Sequence, residues 1–132
     1  MTGSFRHLMV YVSDLERSTT FHDRVLGFLG YAFAHSGDTY AVWNPSRAGY
    51  SFGIVLADST MRDDRHIRGR AGVHHLALNA ECREQIDALY DVLQEIEAVV
   101  LDPPVACPEY SPTYCAVYYE DPDGMKLEVA HY

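Results

Sequence analysis

Apolar and polar residues alternate in two short stretches that lie far apart in the chain. The first stretch is His7–Val12 and the second covers residues 75–80. Alternation with a period of two is typical of a β-strand that buries one face. We therefore predict a strand in each stretch, and each predicted strand begins with a histidine.

A helix is predicted after each of these strands. The first helix opens with the sequence Ser13-Asp14-Leu15-Glu16, which has the form of a capping box, and is expected to end near Gly27. The second is expected over about residues 81–97, where apolar residues recur at intervals of three and four and predict one buried stripe. The residues of this stripe are Ile86, Leu89, Leu93 and Ile96.

The two halves of the chain also end alike. An Ala-Val-aromatic sequence precedes a turn in both, at residues 41–43 and again at 116–118. Each turn leads to a last apolar strand, predicted at 50–56 and at 125–130. The Asp-Pro-Asp-Gly sequence at 121–124 is a strong turn signal before the second of these strands.

These patterns predict a duplicated α+β fold. Residues 1–57 are expected to form a first βαβββ module and residues 73–132 a second, joined by a charged, glycine-containing linker at 58–72. We expect the two modules to pair as one structural domain and to form a curled mixed sheet with a concave side.

The register of three strands places three metal-binding side chains on the same side of this sheet. Successive side chains of a strand point to opposite faces, and the apolar set of each strand is expected to face the helices. His7, His75 and Glu128 must then lie on the open face. The apolar sets that fix this assignment are Leu8, Val10 and Val12, then Leu76 and Leu78, then Leu127 and Val129.

Two imidazoles and one carboxylate form an incomplete coordination shell with open positions for water or substrate. We therefore predict one divalent ion, with Zn, Ni, Mn and Fe as the candidates. Tyr11 and Tyr118, together with Trp43 and Tyr114, are expected to line the open face. An aromatic lining predicts a small organic substrate with a flat or apolar part. The sequence identifies no general base.

Charge and composition exclude several classes of partner. The 132 residues carry a formal charge of −9, and twelve acidic residues stand against two basic ones in 81–132. Such a surface repels nucleic acid and anionic lipid, although Arg62, Arg65, Arg68 and Arg70 form one local basic stretch. No apolar run reaches the roughly 20 residues of a membrane span, and no secretory signal is recognised. Three cysteines at irregular spacing predict no disulfide framework, so we expect a cytoplasmic protein.

The sequence resembles the vicinal-oxygen-chelate superfamily over nearly its whole length. That family includes glyoxalase I, extradiol dioxygenases, methylmalonyl-CoA epimerase, fosfomycin thiol transferases and bleomycin-resistance proteins. The resemblance implies a cup-shaped mixed sheet around a metal held by His7, His75 and Glu128. It also implies a lyase, isomerase or dioxygenase that chelates substrate oxygens. The segments that carry it are 7–10, 14–18, 21–28, 75–78 and 120–128.

One departure from the family pattern changes the expected activity. Glyoxalase I and the epimerase have a fourth ligand on the last strand of the first module, but residues 50–56 contain no acid, amide or histidine. The corresponding position is Gly53, or Val55 if the alignment shifts. The shell of two histidines and one carboxylate resembles those of the dioxygenases and the fosfomycin enzymes, so glyoxalase I activity is not expected.

Two questions stay open on the sequence alone. The alternative function is a metal-free drug- or metabolite-binding protein of the bleomycin-resistance type, although the intact set of three ligands favours an enzyme. A homodimer is expected because exposed strand edges are commonly covered by a second chain. The cup could be built within one chain or across a swapped dimer.

Overall fold

The computed structural model describes residues 3–132, and these form two compact units, the first ending at Arg65 and the second covering His66–Tyr132. The boundary falls inside the predicted linker, 58–72. The later part of that linker belongs to the second unit. The His66 backbone N–H donates to the Asp123 carbonyl oxygen (3.0 Å).

Within the described residues, each unit contains one helix and one four-stranded mixed sheet, which confirms the predicted α+β class and the order βαβββ. In the first unit the strand order is β1-β4-β3-β2, with β1 parallel to β4 and the other pairs antiparallel. The second unit repeats this topology as β5-β8-β7-β6. The elements of the first unit are β1 (His7–Val12), α1 (Leu15–Phe28), β2 (Tyr31–Ser36), β3 (Tyr40–Pro45) and β4 (Ser51–Leu56). Those of the second are β5 (Leu76–Asn79), α2 (Arg83–Glu95), β6 (Val100–Ala106), β7 (Cys115–Glu120) and β8 (Lys126–His131).

The caps of α1 differ from the predicted ones. The N-cap is Asp14, whose carboxylate accepts a hydrogen bond from the Arg17 backbone N–H (2.9 Å). Ser13 instead accepts from the Arg17 guanidinium (3.0 Å). At the other end, Gly27 lies inside the helix, and Gly30 takes the left-handed conformation (φ +84°) that favours glycine after a helix. The capping-box interpretation was therefore wrong by one residue, because the carboxylate of Asp14, and not the hydroxyl of Ser13, accepts from a free backbone N–H group of the first turn.

Helix α2 buries the predicted stripe. Ile86, Leu89 and Leu93 have no exposed surface, and Ile96 is half-buried at the C-cap. The predicted range, 81–97, is two residues too long at each end. The stripe packs on the helix side of β7 and β8, where Val117, Leu127 and Val129 are also buried.

The helix side of the first unit has an aromatic core that includes Trp43. This side chain is fully buried, and its ring lies near those of His22 (6.2 Å between centroids) and Phe52 (6.5 Å). Its indole N–H donates to Asp23 of α1 (2.9 Å). The expectation that Trp43 lines the open face was therefore wrong, because Trp43 shares a strand face with buried Ala41 and pairs with Phe52. His22 is 2% exposed and belongs to this core.

Two further sequence expectations can be compared with the described residues. Cys82, Cys107 and Cys115 are all free thiols. Within residues 3–132, no helix has the length and apolar character needed to cross a membrane.

The open face of the first sheet has a tight contact between β1 and β4. Met9 is the register partner of Gly53, and the Met9 side chain lies over the glycine. A Cβ atom added at Gly53 would stand 2.7 Å from the Met9 methyl carbon and 3.2 Å from the Ala41 carbonyl oxygen. Gly53 therefore faces the open side, as the register predicted, and Met9 covers the space above it.

We predict that Gly53→Ala destabilises the first unit by at most about 1 kcal/mol, because the flexible Met9 side chain must leave its position over the glycine and the Ala41 carbonyl oxygen leaves little room for the added methyl group. In a Met9→Ala background the same substitution should be neutral or stabilising, since only the contact with Ala41 remains. Urea unfolding of the two single variants and the double variant measures the coupling. Additive effects of the two substitutions would contradict the contact.

Candidate metal and substrate site

Glu128 is the most unusual residue of the second unit. It lies in the middle of β8, its neighbours Leu127 and Val129 are buried on the helix side, and the residue itself is only 3% exposed. On the open face it is flanked by Ala77 of β5 and Tyr118 of β7. A carboxylate buried to this degree must be paired or hydrogen-bonded, because it has lost nearly all of its hydration.

One partner of this carboxylate is His75. The Nε2 atom of His75 lies 3.0 Å from Oε2 of Glu128, at hydrogen-bond distance, and the contact is an ion pair when the imidazole is protonated. The other ring nitrogen, Nδ1, lies 2.6 Å from Nδ1 of His74. His75 is thus oriented at both nitrogens, and its Nε2 atom is directed at Glu128. Strand alternation predicts that His74 and His75 face opposite sides, so the sequence did not predict this contact.

The second partner is Tyr114. Its hydroxyl donates to Oε1 of Glu128 (2.5 Å) and lies 3.0 Å from the hydroxyl of Tyr118. The Tyr114 ring is buried against Ala116 and Ala130 on the open face. Because these residues are small, the side chain of Tyr114, which immediately precedes β7, can cross the open face and reach Glu128.

Both tyrosines are neutral donors in this arrangement. Burial, followed by the hydrogen bonds and the nearby negative charge of Glu128, raises the pKa of Tyr114 well above its usual range. Burial is also the main reason that the pKa of Tyr118 is raised. The ammonium group of Lys126 lies 4.3 Å from the centre of the Tyr118 ring, a cation–π distance. The two phenols therefore belong to a hydrogen-bonded network beside the Glu128 carboxylate.

The first unit contributes a different set of side chains on its own open face. His7 is exposed at the start of β1, and Tyr11, 75% exposed, follows on the same face. The structure thus brings His75, Glu128, Tyr114 and Tyr118 together, whereas His7 and Tyr11 lie in the other unit. In the part of the chain that the structure describes, no group of three or more His, Cys, Asp or Glu side chains could hold a metal ion.

The donors of the second unit suit a divalent transition metal. Carboxylate oxygen and imidazole nitrogen are the ligands that Zn, Fe, Mn and Ni accept in proteins. Oε2 of Glu128 and Nε2 of His75 face each other, while Oε1 is held by Tyr114. These residues fit a metal as two ligands of a larger shell, whereas the third predicted ligand, His7, lies in the first unit.

Comparison with known proteins gives consistent results. Residues 4–129 match the model of the glyoxalase/bleomycin resistance protein/dioxygenase superfamily. The chain is 32% identical over 123 residues to the uncharacterized protein YqjT of Bacillus subtilis. This match covers 93% of this chain and 94% of YqjT. It is 26% identical to the metallothiol transferase FosB of Lysinibacillus sphaericus, over 95% of this chain and 79% of FosB. Among solved structures, a glyoxalase candidate from Bacillus halodurans superposes with a TM-score of 0.83 at 27% identity, covering 98% of this chain and 96% of that one.

Proposed function

Because the chain belongs to the glyoxalase/bleomycin resistance protein/dioxygenase superfamily, we propose that it is a divalent-metal-dependent enzyme acting on a small organic substrate. The metal ligands are His7, His75 and Glu128. The observation that carries the proposal is the pairing of a nearly fully buried carboxylate with an imidazole nitrogen at 3.0 Å. Three free cysteines are compatible with the reducing cytoplasm, where we place the protein.

The chemistry of this shell is the stabilisation of negative charge on substrate oxygens. A divalent ion with three protein ligands has open positions for one or two such oxygens. The hydroxyls of Tyr114 and Tyr118 lie beside Glu128 as neutral hydrogen-bond donors. The similarity to FosB adds a thiol transferase to the lyase, isomerase and dioxygenase reactions compatible with such a shell.

A second candidate function is a metal-free binding protein for a drug or metabolite. One observation favours it: Glu128 already has a partner at each oxygen, His75 at Oε2 and Tyr114 at Oε1. The buried charge can therefore be satisfied without a metal when His75 is protonated. A measurement of metal content separates the two functions.

We expect protein purified without chelator to hold about one divalent ion per chain. His75→Ala and Glu128→Ala should each lower the metal affinity by more than about 100-fold, since loss of a ligand exceeds the 10–100-fold effect of an outer-shell partner. Elemental analysis and calorimetric titration with the metal that is found provide the measurement. His35→Ala is the control, because His35 is exposed on β2 and packs only edge-on to Tyr40 (5.8 Å) among the described rings. Wild-type affinity in both ligand variants would refute the site.

Glyoxalase I activity is expected to be weak. The open face of β4 carries Gly53 where that enzyme has a carboxylate ligand, and Met9 covers the glycine. No acid stands there to move a proton. The metal-loaded protein should turn over little of the hemithioacetal of methylglyoxal and glutathione, yet bind oxalate in a calorimetric titration. Efficient turnover would show that another residue supplies the missing acid.

A homodimer is expected in solution. β1 and β5 each form one edge of their sheet, and the open face of β1 presents Tyr11 and Met9, which is 39% exposed, to solvent. Covering such an edge with a second copy removes both the apolar surface and the unpaired backbone groups. Light scattering at micromolar concentration should give twice the mass of the 14.9 kDa chain. The mass of a single chain under these conditions would be the contrary result.

A further inference from the structure

The hydroxyl of Tyr114 separates the two oxygens of Glu128. Oε1 accepts a hydrogen bond from Tyr114 at 2.5 Å, and Oε2 lies 3.0 Å from the imidazole of His75. Both Tyr114 and Glu128 are at least nine-tenths buried, so water does not compete for this hydrogen bond. A carboxylate bound in this way presents one oxygen to a metal and keeps the other on the protein.

The surroundings of Tyr114 fix its ring. The ring packs on Ala116 and Ala130, whose short side chains form the floor beneath it. On its edges stand the rings of Tyr110 (5.3 Å between centroids) and Tyr132 (4.9 Å), both largely exposed. The Tyr114 hydroxyl therefore cannot swing away from Glu128 without displacing packed side chains.

We propose that Tyr114 is a positioning residue that makes Glu128 a monodentate metal ligand. The inference rests on the proposed metal-dependent function and adds a residue that acts through Glu128. By holding Oε1, Tyr114 prevents the carboxylate from chelating the metal through both oxygens. A coordination position is thereby left open for a substrate oxygen. Tyr118, whose hydroxyl lies 3.0 Å from that of Tyr114, continues the hydrogen-bonded chain on the open face.

The test uses Co²⁺ as the probe, because its absorption spectrum reports coordination number as well as occupancy. In Tyr114→Phe the ring and its packing are kept and only the hydroxyl is lost. We expect the Kd for Co²⁺ to rise about 10–100-fold, the usual effect of removing an outer-shell partner. The visible bands should also weaken and shift, as the freed Oε1 joins the coordination shell.

Tyr110→Phe is the matched control. Tyr110 packs against the same ring, but its hydroxyl has no role in the proposal, so both the affinity and the spectrum should stay as in the wild type. Tyr118→Phe should fall between the two, since the bond from Tyr114 to Glu128 is kept. A Tyr114→Phe variant with the wild-type affinity and spectrum would overturn the positioning role alone. Failure of the unmodified protein to bind Co²⁺ would overturn the proposed function with it.

A second measurement covers the case in which Tyr114→Phe does not fold. In the unmodified protein loaded with Zn²⁺, the Tyr114 hydroxyl proton should be protected from exchange and visible by NMR, as in the metal-free protein. Its presence in both states shows that Oε1 stays on the tyrosine when the metal binds. Its loss on metal binding would show that the carboxylate turns to the metal with both oxygens, contrary to the proposal.

Discussion

The open face of the second unit is organised around the burial of one carboxylate. Glu128 retains only 3% of its surface, and an unpaired charge in that position would cost several kcal/mol. His75 and Tyr114 each satisfy one of its oxygens. The alanines beneath the Tyr114 ring are small for the same reason, because larger side chains would prevent the hydroxyl from reaching Glu128.

The two units use one backbone topology for different purposes. In the second unit the central position of the last strand, Glu128, carries a charge within a network of hydrogen bonds. The corresponding strand of the first unit, β4, carries Gly53, with the flexible side chain of Met9 over it. The duplication therefore fixes which strand positions face the open side, while the individual residues decide that only the second unit carries a buried charge at this position.

Much of this arrangement could be predicted from the sequence, because strand register depends only on the alternation of apolar residues. That alternation placed both Glu128 and Gly53 on the face of their sheet that carries no helix, and the structure has them there. Trp43 was misplaced because β3 carries apolar residues on both faces, so alternation could not assign its sides. The hydrogen bond from Tyr114 to Glu128 joins residues 14 positions apart on different elements, and no local pattern encodes it. The presence of alanine at both 116 and 130 was the one available signal.

The glycine at position 53 also has an electrostatic consequence for the proposed site. Two neutral imidazoles and one carboxylate leave a divalent ion with one unit of positive charge, whereas a second carboxylate at position 53 would cancel it. A site with residual positive charge attracts an anionic substrate oxygen, and the attraction is strong where water is excluded.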